Sequence, residues 1–262
     1  MRCLYVDLDA TLLGPGGAVT RDSDGRFTLL GLRALEACDR AGVLVVAMSG
    51  RPRSMLAGDV RLLGLGDYIF EAGAGFVLDG ELHWLADPDA NAKIAAAGAP
   101  ALLADHFAGR LEVDEQRREV SHLLRGIVDV GEAEALLADH GHGELRLIDN
   151  GPSYRHSQAL AAALPSVRAY HLSPRGVSKA SAVAAHARAR GLRREDCVAV
   201  GDSREDLEVA EAVGTLWLVA NAIDHDPGIE RALARYPNAR VAEAAHGPGV
   251  YEAVVTTLAE AR

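Results

Sequence analysis

One local pattern appears near both ends of this 262-residue chain: a short apolar run that ends in acidic residues. Residues 3–8 and 197–202 follow it, and a further apolar run at 43–48 comes after an intervening helical stretch. Short apolar runs predict buried strands, and a strand–helix–strand unit predicts parallel strands with a right-handed crossover. The chain is therefore predicted to be an α/β protein with a doubly wound parallel sheet, whose ligand site lies beyond the carboxyl ends of its strands.

The middle of the chain breaks this alternation. It holds two alanine-rich helical runs and two strand-like pieces, at residues 91–107, 131–140, 119–124 and 144–148. Their mixture indicates an α+β insert and not a continuation of the parallel sheet. We predict a core formed by residues 1–81 and 172–262, with a cap domain at 82–171.

Charge and cysteine content narrow the class of protein. A net charge of −10 argues against nucleic-acid binding, because long-range attraction would have the wrong sign. No apolar stretch approaches the ~20 residues of a membrane span, and Asp7 and Asp9 interrupt the first apolar run too early for a signal peptide. Cys3, Cys38 and Cys197 are scattered and are interpreted as buried free thiols, which suits the reducing cytoplasm.

Two pairs of acids follow predicted strands. Asp7 and Asp9 stand at the end of the first strand, where unpaired buried charge would be costly. Asp202 follows a later strand, and Asp206 comes one helical turn after it. Carboxylate oxygens suit Mg²⁺, although each pair taken alone could equally cap a turn or a helix.

Ser49, Gly50 and Lys179 add groups that can bind an anion. The Ser49 hydroxyl and the Gly50 amide stand at a strand end that leads into a helix, where oxyanions bind readily. On its own this segment is an ordinary helix cap. Lys179 begins another helix and is one of only two lysines among 27 basic residues, the other being Lys93. A lysine kept in so arginine-rich a chain can mark a place for a compact point charge.

Taken together, the order acid pair, hydroxyl, lysine, acid pair resembles the haloacid dehalogenase superfamily of aspartate-nucleophile phosphohydrolases. The resemblance implies that Asp7 is the nucleophile and that Asp9 is the general acid. It implies that Ser49, Gly50, Lys179 and Asn221 lie at the substrate phosphate. It also implies a Mg²⁺ cofactor, with a metal site completed by both acid pairs: Asp7, Asp9, Asp202 and Asp206.

The position of the cap refines the resemblance. Residues 12–48 are mostly filled by a loop, a helix and a strand, whereas Lys179 comes 130 positions after Ser49, which leaves room for a cap. A cap there is similar to that of the Cof-type enzymes and the sucrose, mannosylglycerate and trehalose phosphatases. This implies a small phosphorylated metabolite, with sugar phosphates as the leading class. A phosphotransferase or mutase, and a regulatory protein that has lost turnover, remain alternatives.

Three departures from the family pattern are visible. Ala10 replaces a common glycine, which would tighten the turn after Asp9, and Ser49 replaces a common threonine. Glu205 replaces a frequent asparagine, so that it either strengthens the metal site or points to solvent.

The cap residues that contact the leaving group are harder to predict. The polar run at 150–156, Arg118 and His122 are candidates, with a solvated turn as the alternative for each. The glycines at 73 and 75 do not form a dinucleotide-binding loop, because the expected strand, glycine-rich turn and helix are missing at the first strand.

Overall fold

The computed structural model describes residues 1–153 and 156–260. Its strands are β1 (Cys3–Asp7), β2 (Leu44–Met48), β3 (Tyr68–Phe70), β4 (Gly75–Leu78), β5 (Glu81–Trp84), β6 (Leu111–Val113), β7 (His122–Gly126), β8 (Leu145–Pro152), β9 (Arg168–Pro174), β10 (Cys197–Gly201), β11 (Thr215–Leu218) and β12 (Ala239–Val241). Its α-helices are α1 (Leu30–Arg40), α2 (Arg53–Leu62), α3 (Ala90–Ala96), α4 (Ala99–His106), α5 (Val130–Asp139), α6 (Gln158–Ala163), α7 (Lys179–Ala189), α8 (Arg204–Glu208), α9 (Asn221–His225), α10 (Gly228–Leu233) and α11 (His246–Glu260). In this described part of the chain, no helix combines the length and apolar character needed to cross a bilayer.

The larger sheet has the strand order β12-β11-β10-β1-β2-β3-β4-β5. The strands from β12 to β3 pair in parallel, whereas β4 and β5 form an antiparallel edge. All five residues of β1 are buried, and alternate side chains point to opposite faces. Leu4 and Val6 pack with α1 and α11 on one face, and Cys3 and Tyr5 pack with α7 on the other. Helices therefore cover both faces, which confirms the predicted doubly wound sheet.

The smaller sheet has the order β6-β7-β9-β8 and is antiparallel throughout. Helices α3, α4 and α5 bury Ile94, Leu103 and Leu137 in the same hydrophobic cluster as its strands. This is the α+β insert expected from the sequence. The single helix predicted at 91–107 is wrong, because Gly98 takes a φ of 83° and separates α3 from α4.

The sheet pairing bears on the predicted domain boundaries at 82 and 171. Both positions fall inside strands: β5 pairs with β4 in the larger sheet, and β9 belongs wholly to the smaller one. The division into core and cap stays a prediction, and sheet membership would place each boundary a few residues later. From here we call the residues up to the end of β5 and after β9 the core, and those from residue 85 through β9 the cap.

One buried carboxylate joins the cap to the core. Glu71, directly after β3, is fully buried and accepts hydrogen bonds from the backbone N–H groups of Glu119, Val120 and Ser121 at 2.8–3.0 Å. The Ser121 hydroxyl adds a fourth bond at 3.1 Å. Arg53 of α2 also reaches Glu119, at 3.1 Å. These hydrogen bonds fix residues 119–121 against the core sheet, at the edge where β2 and β3 end.

Candidate active site

The residues singled out in the sequence lie at one edge of the larger sheet. Asp7 is the last residue of β1, Ser49 directly follows β2, and Asp202 directly follows β10. Lys179 and Asn221 begin α7 and α9. Because the carboxyl ends of parallel strands meet at the same edge, residues separated by up to 214 positions in sequence can form one site.

Lys179 lies at the centre of this site and is only 1% exposed. Its Nζ lies 2.8 Å from Asp7 Oδ1, 2.8 Å from Asp206 Oδ1 and 3.6 Å from Glu205 Oε2. Burial alone would lower the pKa of Lys179, but the three carboxylates outweigh it and hold that pKa well above its usual range. The side chain is therefore a fixed, buried positive charge.

Asp7, Asp202 and Asp206 each offer an oxygen within 4.8 Å of the others. Burial raises the pKa of Asp7 well above its usual range, Asp206 and Asp202 raise it further, and Lys179 opposes the rise. With Glu205, four carboxylates surround one ammonium group, so the site is short of positive charge. Hard oxygen donors with excess negative charge are the set that Mg²⁺ prefers, and the residues present fit that ion.

Asp206 is held firmly in place. Its Oδ2 accepts hydrogen bonds from the N–H groups of Asp202 and Ser203, both at 3.1 Å, and from the Ser203 hydroxyl at 2.6 Å. A methyl group on Gly201 would lie 2.2 Å from the Asp206 Cβ, so glycine is required there for this approach. The turn after β10 is thus built around one carboxylate.

The Asp9 carboxylate turns away from this cluster and is about half exposed, at 52%. Arg51 binds it with two hydrogen bonds, of 2.7 Å from Nε and 2.5 Å from Nη2, and binds Asp59 at 2.6 Å through Nη1. The structure therefore does not place the Asp9 side chain beside Asp7. Its role as general acid stays a prediction, and it requires a rotation that breaks the pair with Arg51.

The turn after Asp9 is strained, as the Ala10 departure led us to expect. Ala10 has a φ of 61°, in the left-handed region that favours glycine. Its carbonyl accepts hydrogen bonds from Asn221 Nδ2 and His246 Nδ1, both at 2.9 Å, and Asn221 Oδ1 accepts the His246 N–H at 3.0 Å. The contacts seen for Asn221 hold this turn, so direct phosphate binding by Asn221 stays a prediction. His246 was not identified from the sequence.

Two hydroxyl groups complete the core side of the site. Ser49 is 1% exposed, and its Oγ accepts the Arg51 N–H at 3.1 Å, which orders the turn into α2. Thr11 is fully buried and donates its hydroxyl proton to Asp202 Oδ1 at 2.9 Å. Its contact with Asp202 depends on the two loops meeting, which no local pattern reveals.

Glu205 lies inside the site and does not point to solvent. It is 3% exposed, and neither of its carboxylate oxygens has a hydrogen-bond partner within the described residues. Burial raises its pKa to about 7, although Lys179 opposes the rise. The carboxylate of Glu205, which departs from the family pattern, is therefore directed at Lys179.

The cap contacts the site at Gly50. The Gly50 carbonyl accepts a 2.8 Å hydrogen bond from Arg118 Nη1. A methyl group on Gly50 would lie 2.8 Å from His171 Nε2 and 3.2 Å from Asn150 Nδ2. Glycine is needed here for close approach, and three cap side chains converge on the segment that follows Ser49.

The other cap candidates fare differently. His122 Nε2 donates to the Asn91 carbonyl at 2.8 Å, so that its ring lies against α3 and not at Gly50. Tyr154 and Arg155 of the polar run lie outside the described residues. His171 was missed because it stands in an ordinary apolar strand, where a single histidine gives no signal of its own.

The chain is similar in sequence to known phosphatases. Residues 164–225 match the family model described as haloacid dehalogenase-like hydrolase. The chain is 31% identical to the phosphoglycolate phosphatase of Halobacterium salinarum, over 96% of this chain and 95% of that protein. It is 29% identical to the phosphoglycolate phosphatase of Methanothermobacter thermautotrophicus, over 97% of each.

Solved structures share the whole fold at low identity. The sucrose-phosphatase of Synechocystis, in complex with sucrose and phosphate, has a TM-score of 0.65 at 15% identity and covers 98% of both chains. A haloacid dehalogenase-like hydrolase from Bacillus subtilis has a TM-score of 0.63 at 19% identity, covering 97% of this chain and 99% of its own. These neighbours bear on the fold alone.

Proposed function

The chain belongs to the haloacid dehalogenase-like hydrolases and is a phosphatase, and we propose that it is a Mg²⁺-dependent phosphomonoesterase in which Asp7 accepts the phosphoryl group. The observation that carries this proposal is the 2.8 Å contact between Lys179 Nζ and Asp7 Oδ1 inside the carboxylate cluster. Lys179 keeps Asp7 close to a positive charge despite its burial. Such a carboxylate is a nucleophile that the protein has shielded from phosphate repulsion.

The residues divide the chemistry between them. Asp7 attacks phosphorus to form an aspartyl-phosphate, and the leaving oxygen takes a proton from Asp9 once that side chain has left Arg51. Asp9 then accepts a proton from the water that hydrolyses the intermediate. Lys179 and the Ser49 hydroxyl bind the equatorial oxygens as charge spreads over them.

The cofactor is proposed to be Mg²⁺, held by Asp7, Asp202 and Asp206, with the Asp9 backbone carbonyl as a further ligand. When bound, it would supply the positive charge that the four-carboxylate cluster lacks, between the nucleophile and the phosphate dianion. Thr11 and Ser203 orient Asp202 and Asp206 for this role through the hydrogen bonds described above.

We propose a short phosphorylated carboxylic acid, such as 2-phosphoglycolate, as the substrate class. Support comes from the phosphoglycolate phosphatases that match nearly the whole chain at 29–31% identity. Sugar phosphates, favoured at first, are kept as the second candidate because the structural neighbours include a sucrose-phosphatase. The buried free thiols of Cys3, Cys38 and Cys197 agree with the expected cytoplasmic location.

The test is phosphate release from 2-phosphoglycolate and from p-nitrophenyl phosphate, with and without Mg²⁺. Asp7→Asn is expected to lower kcat by at least ~10³-fold on both compounds. Asp39→Asn, an exposed carboxylate on α1, is the matched control and should retain wild-type rates. Unchanged turnover in Asp7→Asn would refute the proposal. A second phosphorylated product with little free phosphate would indicate a phosphotransferase instead.

A further inference from the structure

Arg118 is a buried cation that forms no ion pair with any of the described residues. Its side chain is 7% exposed, and its Nε has no hydrogen-bond partner. Across residues 1–153 and 156–260, no carboxylate oxygen forms an ion pair with its guanidinium group, which instead donates to the Gly50 carbonyl and to Gln116 Oε1. Burial lowers the pKa of Arg118, and the negative charges of Glu71, Asp114 and Glu119 oppose the fall from beyond ion-pair distance. An unpaired buried charge is costly and is usually kept for a purpose.

The position of this cation relates it to the catalytic edge. Arg118 Nη1 lies 2.8 Å from the carbonyl oxygen of Gly50, the residue after Ser49. Consecutive Cα atoms are about 3.8 Å apart, so Arg118 meets the chain one residue from the proposed phosphate-binding hydroxyl. A ligand whose phosphate occupies the core side would need only a short spacer to bring a second anionic group to Arg118.

His171 is close enough to Arg118 and Lys179 for both positive charges to act on its ring. Burial lowers its pKa well below the usual range, and the positive charges of Arg118 and Lys179 lower it further, so the imidazole is neutral. The Ser121 hydroxyl donates to Glu71 and lies 3.4 Å from His171 Nδ1, which favours the tautomer with its proton on Nδ1. Nε2 then presents a lone pair towards Gly50, a poor partner for an anion.

We propose that Arg118 binds the carboxylate of the substrate's leaving group and so gives the site its preference for short phosphorylated acids. The inference rests on the proposed phosphatase function and adds a residue that determines specificity. The guanidinium fork matches a carboxylate with two parallel N–H donors. Its hydrogen bond to Gly50 holds that fork at a fixed distance from Ser49, and the absence of a side chain at Gly50 leaves room for the cap to approach.

The experiment compares 2-phosphoglycolate with ethyl phosphate, which has the same length but no carboxylate. In Arg118→Gln, kcat/KM for 2-phosphoglycolate is expected to fall by ~10–10²-fold, mainly through KM, because a charge-assisted bond is lost. The value for ethyl phosphate should stay within about twofold, since that compound has nothing for Arg118 to bind. Arg118→Lys keeps the charge but loses the planar fork. Its kcat/KM for 2-phosphoglycolate is expected to lie between the values of the wild type and Arg118→Gln.

Arg53→Gln is the matched control, because Arg53 also joins core to cap, through Glu119, without contacting Gly50. It should affect the two compounds equally. If Arg118→Gln lowers both values equally, or neither, the proposal is overturned and Arg118 only braces the cap. Should the glutamine variant fail to fold, as judged by circular dichroism, Arg118→Lys provides the same comparison.

Failure of the proposed function can be told apart from failure of this inference. If the wild-type protein turns over neither compound, calorimetric binding replaces kinetics. Arg118→Gln is then expected to weaken binding of 2-phosphoglycolate by ~10-fold or more while binding of inorganic phosphate is unchanged. Equal affinity of wild type and variant for 2-phosphoglycolate would overturn the role of Arg118, whatever reaction the core performs.

Discussion

The two sides of the site, core and cap, handle charge in opposite ways. On the core side, Lys179 lies 2.8 Å from the carboxylates of Asp7 and Asp206, and Asp206 is held by further hydrogen bonds. On the cap side, Arg118 is also buried but has no ion-pair partner among the described residues. In the proposed function, the core contains the charges that act on the phosphoryl group, which every substrate shares. The cap leaves one charge to be matched by the part of the substrate that varies.

Backbone strain is divided in the same way. The described residues with positive φ that are not glycine are Ala10, Glu71, Ala72, Asp79 and His246, and all of them lie in the core. In the cap, the described positive-φ positions, such as Gly98 and Gly126, are glycines. Strain at non-glycine residues persists only where surrounding contacts hold it. The core is therefore the part whose backbone geometry is most constrained. We expect substitutions in the core to change stability and activity more than matched substitutions in the cap.

The largest effect is expected when Lys179 of the core is substituted, and Lys93 of the cap provides the matched control. Lys179→Met would leave Asp7, Asp206 and Glu205 buried without their shared cation, so we expect a loss of about 3–5 kcal/mol in unfolding free energy and loss of turnover. Lys93→Met removes an exposed pair with Asp87 in the cap and should change neither property measurably. Chemical denaturation and phosphate release measure both. Similar destabilisation by the two substitutions would contradict the contrast between core and cap.

A smaller effect concerns Asp67, a core carboxylate just before β3. Burial would raise its pKa, but hydrogen bonds from His186, the Asp79 N–H and Arg190 outweigh it and lower the pKa to about 2. Because the folded-state pKa is below the unfolded one, ionised Asp67 stabilises the fold above about pH 4, and this is lost as the pH falls towards 2.

Unfolding of Asp67→Asn at several pH values tests this. The stability difference from wild type is expected to shrink by about 2 kcal/mol between pH 5 and pH 2. Asp105→Asn in the cap replaces an exposed carboxylate on α4 and should show no such pH-dependent difference. A difference for Asp67→Asn that is constant with pH would mean that its ionisation does not stabilise the core.

The smallest effect is expected at Ala10. Ala10→Gly should raise the unfolding free energy by about 0.5–1 kcal/mol, because glycine adopts a φ of 61° without the clash that alanine suffers. Ala41→Gly is the matched control, since Ala41 ends α1 at a φ of −91° and should lose stability on substitution. If both glycine variants lost stability, the turn after Asp9 would not be strained.

The sequence was sufficient wherever a side chain follows a buried strand. Asp7, Ser49 and Asp202 were located correctly because the apolar runs fix the strands, and parallel topology brings the strand ends together. The orientation of Asp9 could not be foreseen, since it depends on a partner, Arg51, 42 residues away. The cap was harder for the same reason. Arg118 was only one of several candidates to contact the leaving group, and His171 was missed. Only the packing of cap against core brings both side chains to Gly50.

The hydrogen bonds that Glu71 accepts from residues 119–121 also limit how the cap can move relative to the core. Four hydrogen-bond donors of residues 119–121 end on this one carboxylate, and parting them would leave it buried and unsatisfied. A cap that moves at the lowest cost would therefore rotate about this point and would not lift away. The gap between cap and core would widen on the opposite side, where Asp149, Arg168 and Asp202 line a small pocket. Substrate and product would then enter and leave beside the carboxylates proposed to bind the metal. The site would stay closed on the side of Arg118.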